Sequence, residues 1–247
     1  MVRNRIAPSI VAAFALAAPL ALVSGCGEDA AKDKPKAAIS EAKPESAETV
    51  KSPAPKPAEA ASSAPSPTES RAAGAVAEAA AKPGTLAILP ETSKLEFIGS
   101  KLAGDSHKGG FKGIAGLVEL VEGKPEVKGI VFDVDTNSIW SDDEKLTTHL
   151  KNKDFFEVAT YPAAKFATTE IRPGGEKGAS HTLVGNLTLH GVTKSITIPA
   201  TVKVEGDTVS LVSEFALNKD DFGMKFGLGM IRPEVVVKFD IKAGKKG

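Results

Sequence analysis

Cysteine is almost missing from this sequence: of 247 residues only Cys26 carries a thiol, so no disulfide can form within the chain. Net charge is missing as well, since 31 Lys and Arg balance 31 Asp and Glu, and this excludes a basic field for nucleic acid or for an anionic membrane surface. Affinity for a partner must then come from shape and apolar surface. No glycine-flanked serine elbow, paired metal-ligand motif or phosphate loop occurs, and His107, His149, His181 and His190 fall in four different elements without metal spacing. The sequence therefore reads as that of a protein that is not an enzyme, with no cofactor and no metal. A metal-dependent enzyme is the weakest of the three function classes considered. Aromatic residues are absent between residues 27 and 84, a stretch of Ala, Pro, Lys, Glu and Ser with prolines at 35, 44, 53, 55, 57, 65, 67 and 83. Such a composition cannot bury enough apolar surface to offset the entropy of ordering, so residues 26–84 are expected to be a disordered linker reaching roughly 40 Å.

What is present begins with an address. Arg3 and Arg5 precede a mostly apolar run over residues 6–23, interrupted by Pro8 and Pro19, and Val23-Ser-Gly-Cys26 closes it. That pattern indicates a cleaved signal over residues 1–25 more than a permanent span. The closing residues look like a bacterial lipobox, which implies a diacylglycerol on Cys26, each buried methylene contributing about 0.8 kcal/mol to anchoring. The alternative is an ordinary signal peptide with a spare cysteine. Gly27 after the cysteine, in place of aspartate, favours the outer membrane, facing the periplasm.

From Thr85 the pattern changes to strands. Leu183, Leu187 and Leu189 alternate with polar neighbours, His190-Gly191 turns, and Ile196, Ile198, Ala200, Val202 and Val204 share one side of the returning strand. The same alternation recurs at residues 94–101, 111–121, 127–136, 163–172, 208–218 and 234–242, with the glycine-dense residues 105–110 read as a loop. Eight antiparallel strands with few crossover helices predict an all-β fold, a closed up-and-down barrel, with an open sandwich as runner-up. One short helix interrupts them: Ser141-Asp-Asp-Glu144 reads as a capping box, and Leu146 and Leu150 lie on a face able to cover an opening. In residues 220–232, Phe222, Met224, Phe226, Leu228 and Met230 alternate with Gly223, Lys225, Gly227 and Gly229, which suits either a rim or a corner packed on the barrel end.

Gly185-Asn-Leu-Thr-Leu-His-Gly-Val-Thr-Lys194, with Leu146-Thr-Thr-His-Leu150, Asp154-Phe-Phe156 and Tyr161-Pro-Ala-Ala-Lys-Phe166 in the same order, resembles the YceI-like periplasmic proteins, lipocalin-like barrels that bind polyisoprenoid lipids. Lys219 stands where that family usually has arginine. The resemblance covers residues 85–243 and implies an isoprenoid tail, as of a prenyl quinone, inside the barrel. An eight-stranded barrel is wide enough either to hold one small ligand or to be filled by its own side chains. In the second case the protein is a structural or adhesive envelope lipoprotein. Because the polar residues that can be placed face outward, the ligand must be apolar along most of its length. The expected lipid-binding residues are Phe97, Phe111, Val118, Phe132, Val134 and Phe166 from the first half of the domain. The second half adds Leu187, Leu189, Ile198, Phe215, Phe222, Met224 and Phe239. Glycines 113, 116, 129 and 185, within or beside strands, mark bulges or close approaches. Pairing of two barrels into a homodimer, and the choice between storage, transport and stress protection, stay open.

Overall fold

The computed structural model describes residues 29–42 and 84–245, so the expected signal sequence and Cys26 lie outside the described residues. The strands are β1 (Ala38–Glu41), β2 (Thr85–Ile88), β3 (Lys94–Ser100), β4 (Ser106–Phe111), β5 (Ile114–Leu120), β6 (Val127–Asp135) and β7 (Ile139–Ser141). After the helix α1 (Glu144–Leu150) come β8 (Ala163–Pro173), β9 (His181–Leu189), β10 (Val192–Glu205), β11 (Thr208–Asn218) and β12 (Glu234–Gly244). Every pair of neighbouring strands is antiparallel. β2 and β3 form one stave, broken by a turn at Pro90–Thr92, and β4 and β5 form the next. With β6, β8, β9, β10, β11 and β12 they make eight staves, and β12 closes the ring by pairing β11 on one side and β2 and β3 on the other. No stave is left with an open edge, which removes the template for edge-to-edge association.

Alternation decides what fills the ring. In its lower half Val118, Ile130, Leu183, Val209, Leu211 and Ile241 are at most 2% exposed and pack together. Each such side chain contributes about 1.5–3 kcal/mol by leaving water. Gly116 and Gly185 serve as close approaches: a Cβ on Gly185 would lie 2.5 Å from the Ala167 carbonyl oxygen and 2.8 Å from the Phe166 ring. The ring lies over the backbone because nothing projects there. The register of β5 on β6 shifts between Glu119 and Leu120, opposite Gly129, a bulge that bends this corner.

Three local expectations are corrected. Residues 105–110 are not a loop: β4 pairs with β3 on one side and with β7 on the other, its glycines allowing Phe97 and Trp140 to crowd against the backbone. The helix is capped by Asp143, whose carboxylate accepts from the Leu146 amide at 2.8 Å, and not by Ser141. Ser141 is held in β7, paired with Gly109, so the helix starts beyond it.

The third correction is confined to residues 29–42 of the expected linker, which form an arm on the barrel, while its residues 43–83 lie outside the described residues. β10 and β11 pair only between Thr201↔Val212 and the turn below, and above that point they splay apart, with the Ser213 hydroxyl donating to the Pro199 carbonyl at the fork. The arm fills the wedge. Ala37 donates to the Ala216 carbonyl and Ala216 to the Pro35 carbonyl, while β1 pairs antiparallel with residues 194–197 of β10. Ala37 and Ile39 pack against the core cluster, and Lys194 binds Glu41 at 2.8 Å. Polar composition hid this because strand addition uses backbone groups, and two small apolar residues at the right register are enough to face inward.

Candidate functional site

The upper half of the ring is hollow. A cavity of about 410 Å³ occupies it, within the range of small-molecule sites. Phe132, Phe166, Phe215 and Phe239 lie at its base, with ring centroids 5.3 Å apart for Phe132 and Phe166 and 6.4 Å for Phe215 and Phe239. A second aromatic group, Phe97, Phe111 and Phe156, stands beside it, Phe111 meeting Phe156 edge-on at 5.4 Å. Leu146 and Leu150 of α1 line the cavity as well, so the helix covers part of the opening.

Four charged lining residues lie at the ends of their elements: Lys101 follows β3, His107 is the second residue of β4, Asp143 caps α1 and Lys219 follows β11. Glu96 and Lys165 contribute from strands but engage Lys108 at 2.8 Å and Asp133 at 3.5 Å. Lys219 is 6% exposed, and its ammonium donates to Asp220 Oδ1 and the Met224 carbonyl, both at 2.7 Å, and to the Phe226 carbonyl at 3.3 Å. A point charge with several donors fits these diverging acceptors, so lysine here organises the loop between β11 and β12. Across the mouth, His107 Nδ1 donates to Asp142 at 3.0 Å and the Lys108 amide to the other carboxylate oxygen at 2.8 Å. The amide contact chiefly, with His107 adding to it against some desolvation, holds the Asp142 carboxyl below its ordinary range.

Most expected binding residues meet at this cavity: Phe97, Phe111, Phe132, Val134 and Phe166, then Leu187, Leu189, Ile198, Phe215, Met224 and Phe239. Two do not. Val118 is fully buried in the packed lower half, and Phe222 is buried beneath the loop, its carbonyl accepting from His190 Nδ1 at 3.2 Å. Alternation marks the inward face but not the height along the barrel, and Val118 was misplaced for that reason. Leu95, Phe156, Ile196, Leu217 and Val237 line the cavity and were missed, although all but Phe156 fall on the inward period. Trp140 is no lining residue; it lies against Gly110 on β4. The histidines do not converge: His149 pairs with Asp154, His181 with Ser180, and His190 meets the Tyr161 ring at a tilt, centroids 4.7 Å apart. No group of three or more His, Cys, Asp or Glu placed to hold a metal occurs among the described residues.

An antiparallel ring of eight staves, packed below and hollow above, defines a closed up-and-down barrel with an internal apolar cavity. The chain belongs to the YceI-like domain family, whose model matches residues 86–243. A UPF0312 protein of Pseudomonas putida strain W619 is 39% identical over 123 residues, 47% of this chain and 63% of that one. One from Pseudomonas fluorescens strain SBW25 is 38% identical over the same shares, so the chain spans less than two thirds of these relatives. The crystal structure of BcnA from Burkholderia cenocepacia superimposes with a TM-score of 0.56 at 24% identity, covering 63% of this chain and 99% of BcnA. A polyisoprenoid binding domain from Saccharophagus degradans, implicated in plant cell wall breakdown, gives 0.53 at 16% identity, covering 67% and 100%. Both likenesses are of fold.

Proposed function

We propose that the hollow upper half of the barrel holds the tail of an isoprenoid lipid and that the chain performs no chemistry on it. The observation that carries this is the cavity, walled by Phe, Leu, Val and Ile, with Lys101, His107 and Asp143 among its lining at the ends of their elements. A tail inside leaves water at no polar cost, while a headgroup stays among Lys101, His107 and Asp143. The isoprenoid class is supported by family membership and by the polyisoprenoid binding domain of the same fold. A filled structural barrel fits poorly with a hollow half. With diacylglycerol on Cys26 the protein is tied to a membrane facing the periplasm, the outer one by the residue at position 27, and serves storage, transport or protection of the lipid.

Titrating the delipidated full-length protein with a prenyl quinone tests the reading. Saturation at one quinone per chain is expected, and Leu187→Trp, which places an indole in the cavity, should abolish it while leaving the unfolding midpoint close to that of the parent. Equal binding by both proteins, or none by either, contradicts the site.

A further inference from the structure

Six large apolar side chains stand exposed among the described residues, and four of them, Leu102, Phe226, Leu228 and Met230, belong to two loops at the mouth of the cavity. The loops are joined to each other: the Leu102 amide donates to the Met230 carbonyl at 2.9 Å, and Lys101 forms a bridge with Ile231. Leu228 and Met230 are 69% and 66% exposed, whereas Ile231, next along the chain, lines the cavity. The patch has a fixed base. Lys219 ties down the carbonyls of Met224 and Phe226, and the Phe226 ring rests on His149 and Phe155 at 4.9 and 5.2 Å.

The arm brings the start of the described chain to the same place. Asp29 accepts from Arg232 at 3.1 Å, two residues past Met230, and Ala31 is buried with Ala216 and Val236. Cys26 precedes Asp29 by three residues, so a fully extended chain separates them by at most roughly 11 Å. The described chain resumes at residue 84 on the same barrel, so with the arm docked the reach from Cys26 to the barrel is set by the residues before Asp29.

From this placement we propose that the apolar rim docks on a lipid bilayer with the mouth facing it, so that the cavity opens into the hydrocarbon from which its ligand comes. This rests on reading Cys26 as acylated and the cavity as a tail site. A bilayer is the occupant because acyl chains on Cys26 lie within a short chain length of the patch, and because the patch borders the mouth on the side where its two loops join. A tail then passes between cavity and membrane without exposing its apolar surface to water, which diffusion through solvent would require.

The test uses the acylated full-length protein on vesicles of phosphatidylethanolamine and phosphatidylglycerol with brominated acyl chains. Leu228→Trp reports on the rim and Val131→Trp on the outer wall of β6, where Val131 is 49% exposed, with the Trp140 emission of the parent subtracted. Neither exposed position bears on folding. The expected result is a blue shift and loss of emission for Leu228→Trp and neither for Val131→Trp. Equal quenching at both positions, or at neither, overturns the docking. So does a blue shift of Leu228→Trp without vesicles together with a doubled sedimentation mass, which assigns the patch to a second copy of the chain. Quinone binding and the acyl mass on Cys26, read on the same samples, separate a failure of docking from a failure of the ligand site or the anchor.

Discussion

Leu183 and Leu187 share strand β9 and its inward face, yet they belong to different halves of the barrel. Leu183 is 1% exposed in the packed half, and Leu187 lines the cavity. Truncating Leu183 to alanine removes about three buried carbons, ~2.4 kcal/mol at ~0.8 each. The void left behind raises the total to about 3–4 kcal/mol. Leu187→Ala should destabilise by about 1 kcal/mol, because part of its surface already faces empty space and the change enlarges a cavity that exists. Urea unfolding of the delipidated full-length chain, followed by far-ultraviolet circular dichroism, gives both values. With a slope of about 1–3 kcal/mol per molar, the two midpoints should differ by roughly 1 M, the slopes staying equal. Saturating prenyl quinone should then stabilise the parent more than Leu187→Ala, since ligand that binds only the folded state adds its binding energy. Equal losses at both positions would refute the reasoning: they would mean that the upper half closes on itself and is packed like the lower.

Ile39→Asp should undock the arm while sparing the barrel, seen as rapid hydrogen exchange of the Ala216 amide, which donates to Pro35, with unchanged protection of the β9 and β6 amides. Gly185→Ala forces a methyl against the Ala167 carbonyl and the Phe166 ring and should destabilise the domain by about 1–3 kcal/mol in the same urea assay. Lys219→Met leaves Asp220 and two loop carbonyls without their donor, and limited proteolysis should then cut within residues 222–231 where the parent resists. Asp142 has a depressed pKa, so its contribution is full above the unfolded carboxylate value of about 3.9 and is lost as pH falls through the lower folded value. The Asp142 side-chain carboxyl carbon resonance should titrate with its midpoint below that of the same residue in the urea-unfolded chain, and equal midpoints would contradict the contact.

The staves were legible because one face of each is buried, and a period of two then shows directly, as at Leu183, Leu187 and Leu189. Height along the barrel was not legible. Val118 and Val134 have the same composition and period, but one meets packed neighbours and the other open space, a difference set by strands distant in sequence. β4 escaped because Gly109 and Gly110 resemble a turn, and only the crowding of Phe97 and Trp140 onto that backbone explains them. The arm escaped for another reason: its register depends on the splaying of β10 from β11 above Thr201, which no local pattern in residues 29–42 announces. The loop that could be rim or corner is both, with Phe222 and Met224 buried and Leu228 and Met230 outside.

Whether the upper half of the barrel holds an isoprenoid tail is tested most directly by extracting the purified full-length protein with organic solvent and identifying by mass spectrometry what it carries. The prediction is a single class of isoprenoid-tailed lipid, close to one per chain, lost from Leu187→Trp. Protein that carries no apolar molecule, or straight-chain fatty acids in the same amount from both proteins, would contradict it.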